Sequence, residues 1–229
     1  MDGGLGGAAV TAIVAVEALS VARGVRPVLH DISFALAPGE RLLIDGDSGA
    51  GKSTLLHALL GFVPRQRGRI ALFGRDCVTE HDFAPMRGPV GLLFQDPDDQ
   101  LLGPSVFEDV EFGPLNLGVA PADAHQRAHA VLARVGIEHL SARPVHELSG
   151  GEKRLAALAG VLAMQPRVLL LDEPTAGLDE AAATRVLDAL LATALPLIVA
   201  SHDPLCRARL ATRCLHLRDG RLGPRAASD

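Results

Sequence analysis

The fold is decided by one stretch, Gly46-Asp47-Ser48-Gly49-Ala50-Gly51-Lys52-Ser53. An apolar run precedes it at residues 41–45, and residues 54–60, starting at Thr54, carry apolar side chains at helical spacing. This order of strand, glycine loop and helix lets backbone N–H groups and a helix N-terminus face a phosphate chain. We therefore predict a nucleotide-binding segment over residues 46–54. In it Lys52 reaches the β- and γ-phosphates and the Ser53 hydroxyl binds Mg²⁺. The alternative is a glycine-rich turn without a ligand. Such a turn does not require the whole eight-residue motif together with a strand before it and a helix after it.

A second apolar run, residues 168–171, ends in the acidic pair Asp172-Glu173. A buried strand of a parallel sheet delivers its carboxyl end to the sheet edge where ligands bind, which is also where the glycine loop lies. We expect Asp172 to hold Mg²⁺, directly or through water, and Glu173 to polarise the water that attacks the γ-phosphate. The alternative is an unremarkable pair of surface acids after a strand.

Composition narrows the class of protein. The 229 residues are 48% hydrophobic, which is ample for a buried core, and the net charge of -5 argues against a surface built for nucleic acid. Three cysteines without metal-type spacing favour free thiols in a reducing compartment. Residues 1–9 read as a flexible tail without the basic start of a secretory signal, and no apolar run approaches the length needed to span a bilayer.

The order of predicted elements indicates an α/β fold with a largely parallel sheet. Helical signals are concentrated between residues 103 and 165, which we interpret as an inserted helical block. Strands are predicted at residues 10–16, 19–21, 28–36, 42–44, 69–73, 90–94, 168–171, 197–200 and 214–217. Helices are predicted at residues 54–60, 106–112, 122–135, 151–164 and 180–194.

A second candidate phosphate site lies at Leu148-Ser149-Gly150-Gly151-Glu152-Lys153-Arg154, which opens a helix. Ser149 and the two glycine N–H groups are suited to bind an anion at a helix start. The residues themselves are equally compatible with an ordinary N-cap and a tight turn.

Taken together, six landmarks resemble the ATPase subunit of an ABC transporter. They are GDSGAGKS, Gln95 after a strand, LSGGE, VLLLDE, the turn Ala176-Gly177-Leu178-Asp179, and His202. The resemblance implies a P-loop NTPase core with an N-terminal antiparallel β subdomain and an inserted α-helical subdomain. It further implies that two ATPases meet head to tail with ATP and Mg²⁺ between them.

In that arrangement Ser149, Gly150, Gly151 and Glu152 contact the ATP of the partner chain, and Asp179 shapes the shared interface. The resemblance also implies that Gln95 senses Mg²⁺ and water, and that His202 contacts the γ-phosphate. The implied domain spans residues 10–229, with a core over about 10–95 and 166–229 and a helical subdomain over about 96–165.

Residues 91–101 and 112–118 are similar to the energy-coupling factor subfamily, especially its cobalt and nickel importers. This resemblance implies a peripheral protein at the cytoplasmic face of the membrane. Its implied partners are a second ATPase, identical or related, a transmembrane coupling protein whose helices carry arginines, and a substrate-binding membrane subunit. Asp96, Asp98 and Asp99 form an acidic run, with Glu108, Asp109 and Glu111 beyond it, where such a helix could dock, although a solvated acidic loop is the commoner origin of such runs.

Two departures from the family pattern stand out. The chain has no Tyr or Trp before the glycine loop to stack on adenine, and Arg23 offers only a guanidinium plane. Glu152 stands where many members carry glutamine.

The spacing of His125 and His129 suits a metal, but no third ligand is evident.

The function expected is therefore ATP hydrolysis that drives import of cobalt or nickel. Biotin or another vitamin would require the same catalytic residues. Two further alternatives are a soluble ABC-type ATPase acting on DNA or ribosomes and a phosphotransferase with the same glycine loop. The first lacks a basic surface here, and the second has no use for LSGGE.

Overall fold

The computed structural model describes residues 12–224, so the predicted tail at residues 1–9 lies outside the described residues. The strands are β1 (Val14–Arg23), β2 (Arg26–Leu36), β3 (Arg41–Asp45), β4 (Arg65–Leu72), β5 (Arg75–Asp76), β6 (Val90–Leu93), β7 (Val168–Asp172), β8 (Leu197–Ala200), β9 (Arg213–Arg218) and β10 (Arg221–Pro224). The α-helices are α1 (Lys52–Leu59), α2 (Glu80–Phe83), α3 (Val106–Asn116), α4 (Pro121–Arg134), α5 (Gly150–Ala163), α6 (Glu180–Leu191) and α7 (Pro204–Leu210). Within residues 12–224 no helix is long and apolar enough to cross a bilayer.

The strands form two sheets. One is antiparallel, in the order β2-β1-β4-β5. The other has the order β10-β9-β3-β8-β7-β6 and is parallel except for the β9–β10 pair. The predicted α/β fold with a largely parallel sheet is confirmed. β3 and β7 end at the same edge of this sheet, with only β8 between them, so the glycine loop and the acidic pair become neighbours.

The separate strands predicted at residues 10–16 and 19–21 are wrong over the described part, because β1 is one continuous strand with a bulge. Ala18 has φ 48° at the bulge, and its N–H donates to Ser33 Oγ at 2.9 Å. Gly68 of β4 lies opposite, where a Cβ would come within 2.5 Å of the Ala18 carbonyl oxygen. The bulge therefore depends on a hydroxyl and a glycine from two other strands.

The parallel sheet separates two apolar clusters because its strands alternate their side chains between its faces. Leu42 and Ile44 of β3 join α1 and the antiparallel sheet on one face. Leu43 faces the other cluster, which includes residues of α3, α4, α5 and α6. The glycine loop is thus anchored by a strand whose two faces are both buried.

Helix α5 packs against α3 and α4 and also against α6 and β6. It therefore connects the helical block to the parallel sheet instead of belonging to one of them. The boundaries proposed from the sequence, near residues 96 and 165, stay a prediction.

Four short elements escaped the sequence analysis, namely β5, α2, α7 and β10. Helix α3 is longer than predicted, since it continues to Asn116 through Pro114. A Gly-Pro pair usually ends a helix, but Pro114 is buried here and α3 packs against α4 and α5. Tertiary packing has overridden the local signal.

Candidate functional site

The glycine loop borders an open cavity of about 1020 Å³. Its lining includes the loop and α1 start from Asp47 to Thr54, together with Gln95, Glu173 and His202. Gly46 and Asp172 lie behind this wall, since both are buried and neither lines the cavity. The tertiary structure thus brings residues from three parts of the chain around the predicted nucleotide-binding loop.

Glycine is required at two positions of the loop. At Gly46, φ is 152° and a Cβ would lie 2.3 Å from the Leu217 carbonyl oxygen of β9. At Gly51, the N-cap of α1, φ is 108° and a Cβ would press on Leu29 and Val28 at 3.0 and 3.1 Å. The backbone therefore approaches its neighbours more closely than any side chain would permit.

Lys52 is 6% exposed, and its ammonium group has three acceptors. Nζ donates to the Gly46 carbonyl at 2.6 Å and the Asp47 carbonyl at 3.2 Å, and it lies 3.3 Å from Glu173 Oε1. These contacts use the three donors of the ammonium group. The positive charge is held at the cavity wall, beside the carboxylate predicted to be catalytic.

Glu173 is 7% exposed and is held at both oxygens. Oε2 accepts from Ser201 Oγ at 2.9 Å, and Oε1 lies 2.8 Å from His202 Nδ1. The backbone of Glu173 has φ 43°, a strained conformation for a residue with a Cβ. Sequence reasoning missed Ser201, although its position beside His202 after strand β8 was an available signal.

Asp172 has the features of a carboxylate that binds a cation. It is 3% exposed, and burial raises its pKa, which a hydrogen bond with the Ser53 side chain opposes. Oδ1 is buried without a hydrogen-bond partner among the described residues. A carboxylate oxygen and a hydroxyl are the hard donors that Mg²⁺ prefers, so these residues fit the predicted ion.

The cavity is also lined by residues of β1, β2 and the β9–β10 turn. They include Arg23, Arg26, Val28 and His30. Sequence reasoning considered Arg23 and missed His30, which it treated as part of a strand. His30 N donates to the Gly220 carbonyl at 2.7 Å, so β2 is fixed to the β9–β10 turn at this point.

The Ser149–Glu152 segment does not line this cavity. Ser149 caps α5 in a capping box, in which the Glu152 carboxylate accepts from Ser149 N and Oγ, both at 2.8 Å. These hydrogen bonds hold the pKa of Glu152 below its usual value, with Arg143 and Arg185 adding to the effect. Asp179 caps α6 by accepting from Ala182 N at 2.7 Å. Ser149, Gly150 and Asp179 are exposed whereas Gly151 is buried, and both predicted segments lie outside the cavity of their own chain.

A second, apolar groove of about 270 Å³ lies between the parallel sheet and α3, next to Gln100 and Met164. Large apolar side chains around it are exposed, with Leu102 at 76%, Phe112 at 55% and Phe62 at 48%. Single exposed apolar residues are normal, but several around one concave surface indicate an interaction site.

The acidic run, which directly precedes Gln100 of this groove, contains a short 3₁₀ helix at residues 97–99. Asp96 caps it through a hydrogen bond from Asp98 N at 3.0 Å. Asp98 and Asp99 are both exposed, and Asp98 is paired with Lys153 Nζ at 2.6 Å. The three carboxylates therefore differ, and Asp98 already has a partner on α5.

His125 and His129 pack against Phe107 in edge-on and tilted orientations, with ring centroids 4.7 and 4.6 Å away. Residues 12–224 contain no group of three or more His, Cys, Asp or Glu side chains that could hold a metal ion. The two histidines are thus part of a packed ring cluster between α3 and α4.

The sequence profile of the family described as ABC transporter matches residues 29–176, more than half of the chain. An uncharacterized ABC transporter ATP-binding protein of Haemophilus influenzae is 49% identical over 205 residues, which cover 90% of this chain and 94% of the relative. The cobalt import ATP-binding protein CbiO of Rhodobacter capsulatus is 48% identical over 220 residues, covering 93% and 78%.

Among solved structures, cbiO1 of Clostridium perfringens superposes with a TM-score of 0.84 at 34% identity. The match covers 93% of this chain and 87% of that one, which is described as part of the ABC transporter complex cbiONQ. The fold predicted from the sequence landmarks is thereby confirmed.

Proposed function

We propose that this chain, which belongs to the ABC transporter ATP-binding family of ATPases coupled to transport, is the motor of an energy-coupling factor importer. The cargo proposed is cobalt or nickel. The observation that carries the ATPase role is the contact of Lys52 and His202 with Glu173 at the wall of the cavity.

ATP would lie along residues 46–54 with its γ-phosphate toward Glu173. Lys52 would exchange part of its present contacts for phosphate oxygens, and Glu173 would take the proton of the attacking water. Ser201 and His202 would hold the Glu173 carboxylate in line, since both bond to it. Gln95 would orient the same water from the opposite side.

Mg²⁺ would be held by Ser53 and Asp172, with Gln95 nearby. Bound there, the ion would neutralise charge on the β- and γ-phosphates. The unpartnered Oδ1 of Asp172 supports this assignment, because a buried carboxylate oxygen without a donor is otherwise costly. Ser53 contributes as the hydroxyl already hydrogen-bonded to Asp172.

Two ATPase chains, identical or related, would form the working unit. Ser149 and Gly150 are exposed at the start of α5, with the buried Gly151 directly after them, so an ATP bound to another chain could reach the N–H groups at this helix start. Glu152 would hold the Ser149 hydroxyl in place, and Asp179 would shape the shared interface. Closure of this pair on ATP, and reopening after hydrolysis, would supply the motion.

The membrane coupling protein would dock in the apolar groove at the cytoplasmic face of the membrane. The exposed Leu102, Phe112 and Phe62 side chains would be covered by such a helix. Asp99 directly precedes Gln100 of the groove lining and offers an exposed carboxylate for an arginine of that helix. A separate membrane subunit would capture the cargo.

Cargo identity rests on the similarity to the cobalt import protein and to cbiO1. Cobalt or nickel is therefore the first candidate, and biotin or another vitamin is the second, because the ATPase chain itself need not touch the cargo. The test is co-purification from native membranes through a tag on this chain, with identification of associated proteins and bound metal.

Recovery of a coupling protein and a metal-binding membrane subunit supports the proposal. A vitamin-binding subunit would keep the motor and change the cargo. Recovery of ribosomes or nucleic acid without a membrane protein would contradict the transport role.

Docking is tested by Asp99→Lys, with Glu138→Lys as a matched charge reversal on an exposed residue away from the groove. We expect Asp99→Lys to reduce recovery of the coupling protein by about tenfold while ATP affinity is unchanged. Asp98 is less suitable, because reversing it also breaks its ion pair with Lys153. Undiminished recovery with Asp99→Lys would contradict the proposed docking surface.

A further inference from the structure

Arg154 on α5 is a buried arginine that neither the ATP site nor the docking surface uses. It is 2% exposed, and its guanidinium donates to the Phe94 carbonyl at 2.6 Å and the Gln95 carbonyl at 2.7 Å. Nε is buried and has no hydrogen-bond partner within the described residues. One side chain thus donates hydrogen bonds to two consecutive backbone carbonyls.

A second side chain ties the same backbone to α5. Gln100 Oε1 accepts from Phe94 N at 3.1 Å, and Gln100 Nε2 donates to the Ala157 carbonyl of α5 at 3.0 Å. The backbone that carries Gln95 into the cavity is therefore attached to one helix at three points. That helix is also the one that begins with the Ser149 capping box.

Burial and two nearby carboxylates have opposite effects on the charge of Arg154. Burial lowers the pKa of its guanidinium, and Asp96 and Asp172 oppose this shift. A lysine would preserve the charge but could not reproduce the fork that serves two adjacent carbonyls. Geometry thus distinguishes the two basic residues at this position.

We propose that Arg154 is a positioning residue for Gln95, which it fixes in the cavity and links rigidly to the start of α5. The Gln95 side chain at the γ-phosphate and the Ser149–Gly151 segment then move as one body. This inference rests on the proposed role of Gln95 in ATP hydrolysis and extends it to a residue outside the cavity.

The experiment measures steady-state ATP hydrolysis by the purified full chain for Arg154→Lys, Gln95→Ala and the double variant. Arg65→Lys is the control. Arg65 also donates to a backbone carbonyl, that of Cys77 at 2.6 Å, but it does not line the cavity. We expect Arg154→Lys to lower kcat about tenfold with KM for ATP changed less than about threefold. The double variant should be no slower than Gln95→Ala by more than about twofold, because both changes act through one group.

The proposal would be overturned if the loss of kcat in the double variant equalled the product of the losses in the two single variants. It would also be overturned if Arg65→Lys lost as much kcat as Arg154→Lys. If Arg154→Lys does not fold, Gln100→Met removes the second attachment at nearly constant length. It should lower kcat by about threefold and show the same non-additivity with Gln95→Ala. Wild-type kcat in Gln100→Met in that case, or in Gln95→Ala, would overturn the inference. Either result would leave the co-purification test of the transport role unaffected.

Discussion

Lys52 Nζ lies 3.3 Å from Glu173 Oε1, although 121 positions separate the two residues in sequence and both are nearly buried. Glu173 is the carboxylate that Lys52 contacts at the cavity wall, and it also contacts His202 Nδ1 at 2.8 Å. Removing the Glu173 side chain altogether would leave one donor of the buried Lys52 ammonium without an acceptor, which is costly in a folded protein. A substitution that tests the chemistry at Glu173 must therefore preserve an acceptor for Lys52.

Glu173→Gln meets that requirement, because the amide oxygen can still accept from Lys52. We expect ATP affinity to change by less than about threefold and kcat to fall by roughly 10²–10⁴-fold, the range for loss of a general base. Equilibrium nucleotide binding and steady-state phosphate release measure the two quantities. Glu138→Gln, an exposed glutamate, should retain wild-type kcat. More than about a tenth of wild-type turnover in Glu173→Gln would contradict a base role.

Complementation between two inactive chains tests whether the Ser149 segment acts on the partner's ATP. Lys52→Ala should fail in its own cavity, and Ser149→Arg should block the surface presented to a partner. Mixed dimers then contain one intact composite site, so an equimolar mixture should regain up to about a quarter of the wild-type rate. The rate of ATP hydrolysis of the mixture, after incubation that allows exchange, provides the measurement. No recovery, with heterodimers shown by differential tags, would contradict action in trans.

Gly46→Ala tests the tight approach of the loop to β9. The new Cβ would lie 2.3 Å from the Leu217 carbonyl oxygen, at a φ that alanine rarely adopts. We expect the free energy of unfolding to fall by about 2–4 kcal/mol, measured by urea denaturation. Gly223→Ala is the control, since its Cβ would meet no atom within 4 Å, and it should change stability by less than about 0.5 kcal/mol. Equal stabilities of the two variants would refute the close contact.

Glu152→Gln tests the capping box through pH. The pKa of Glu152 is lowered in the folded protein by hydrogen bonds from Ser149, so its contribution to stability is complete above the unfolded value of 4.5. It is lost as pH falls through the lower folded value. The stability advantage of wild type over Glu152→Gln should therefore shrink between pH 6 and about pH 3, as followed by thermal unfolding. A constant advantage over this range would show that the carboxylate is not the stabilising form. Glu138→Gln controls for general charge effects.

The site was predictable where its signals are local. The glycine loop lies between a strand and a helix that are continuous in sequence, and the pair Asp172-Glu173 directly follows β7. Their meeting followed from one topological rule, that parallel strands present their carboxyl ends at one edge. Ser201 and His30 were missed because a serine after a strand, or a histidine within one, acquires meaning only from the residues that surround it in the folded chain.

Sequence alone predicted the chemistry, because an eight-residue glycine loop and an acidic pair have few uses other than binding phosphate and Mg²⁺. Tertiary structure decided which groups surround that chemistry. Glu173 is held by Ser201 and His202, and the Gln95 backbone is held by Arg154. The bulge in β1 exists because Ser33 and Gly68 accommodate it from two other strands. The physical reason is common to these cases, since each depends on hydrogen bonds or steric contacts between segments far apart in sequence, which no local pattern encodes.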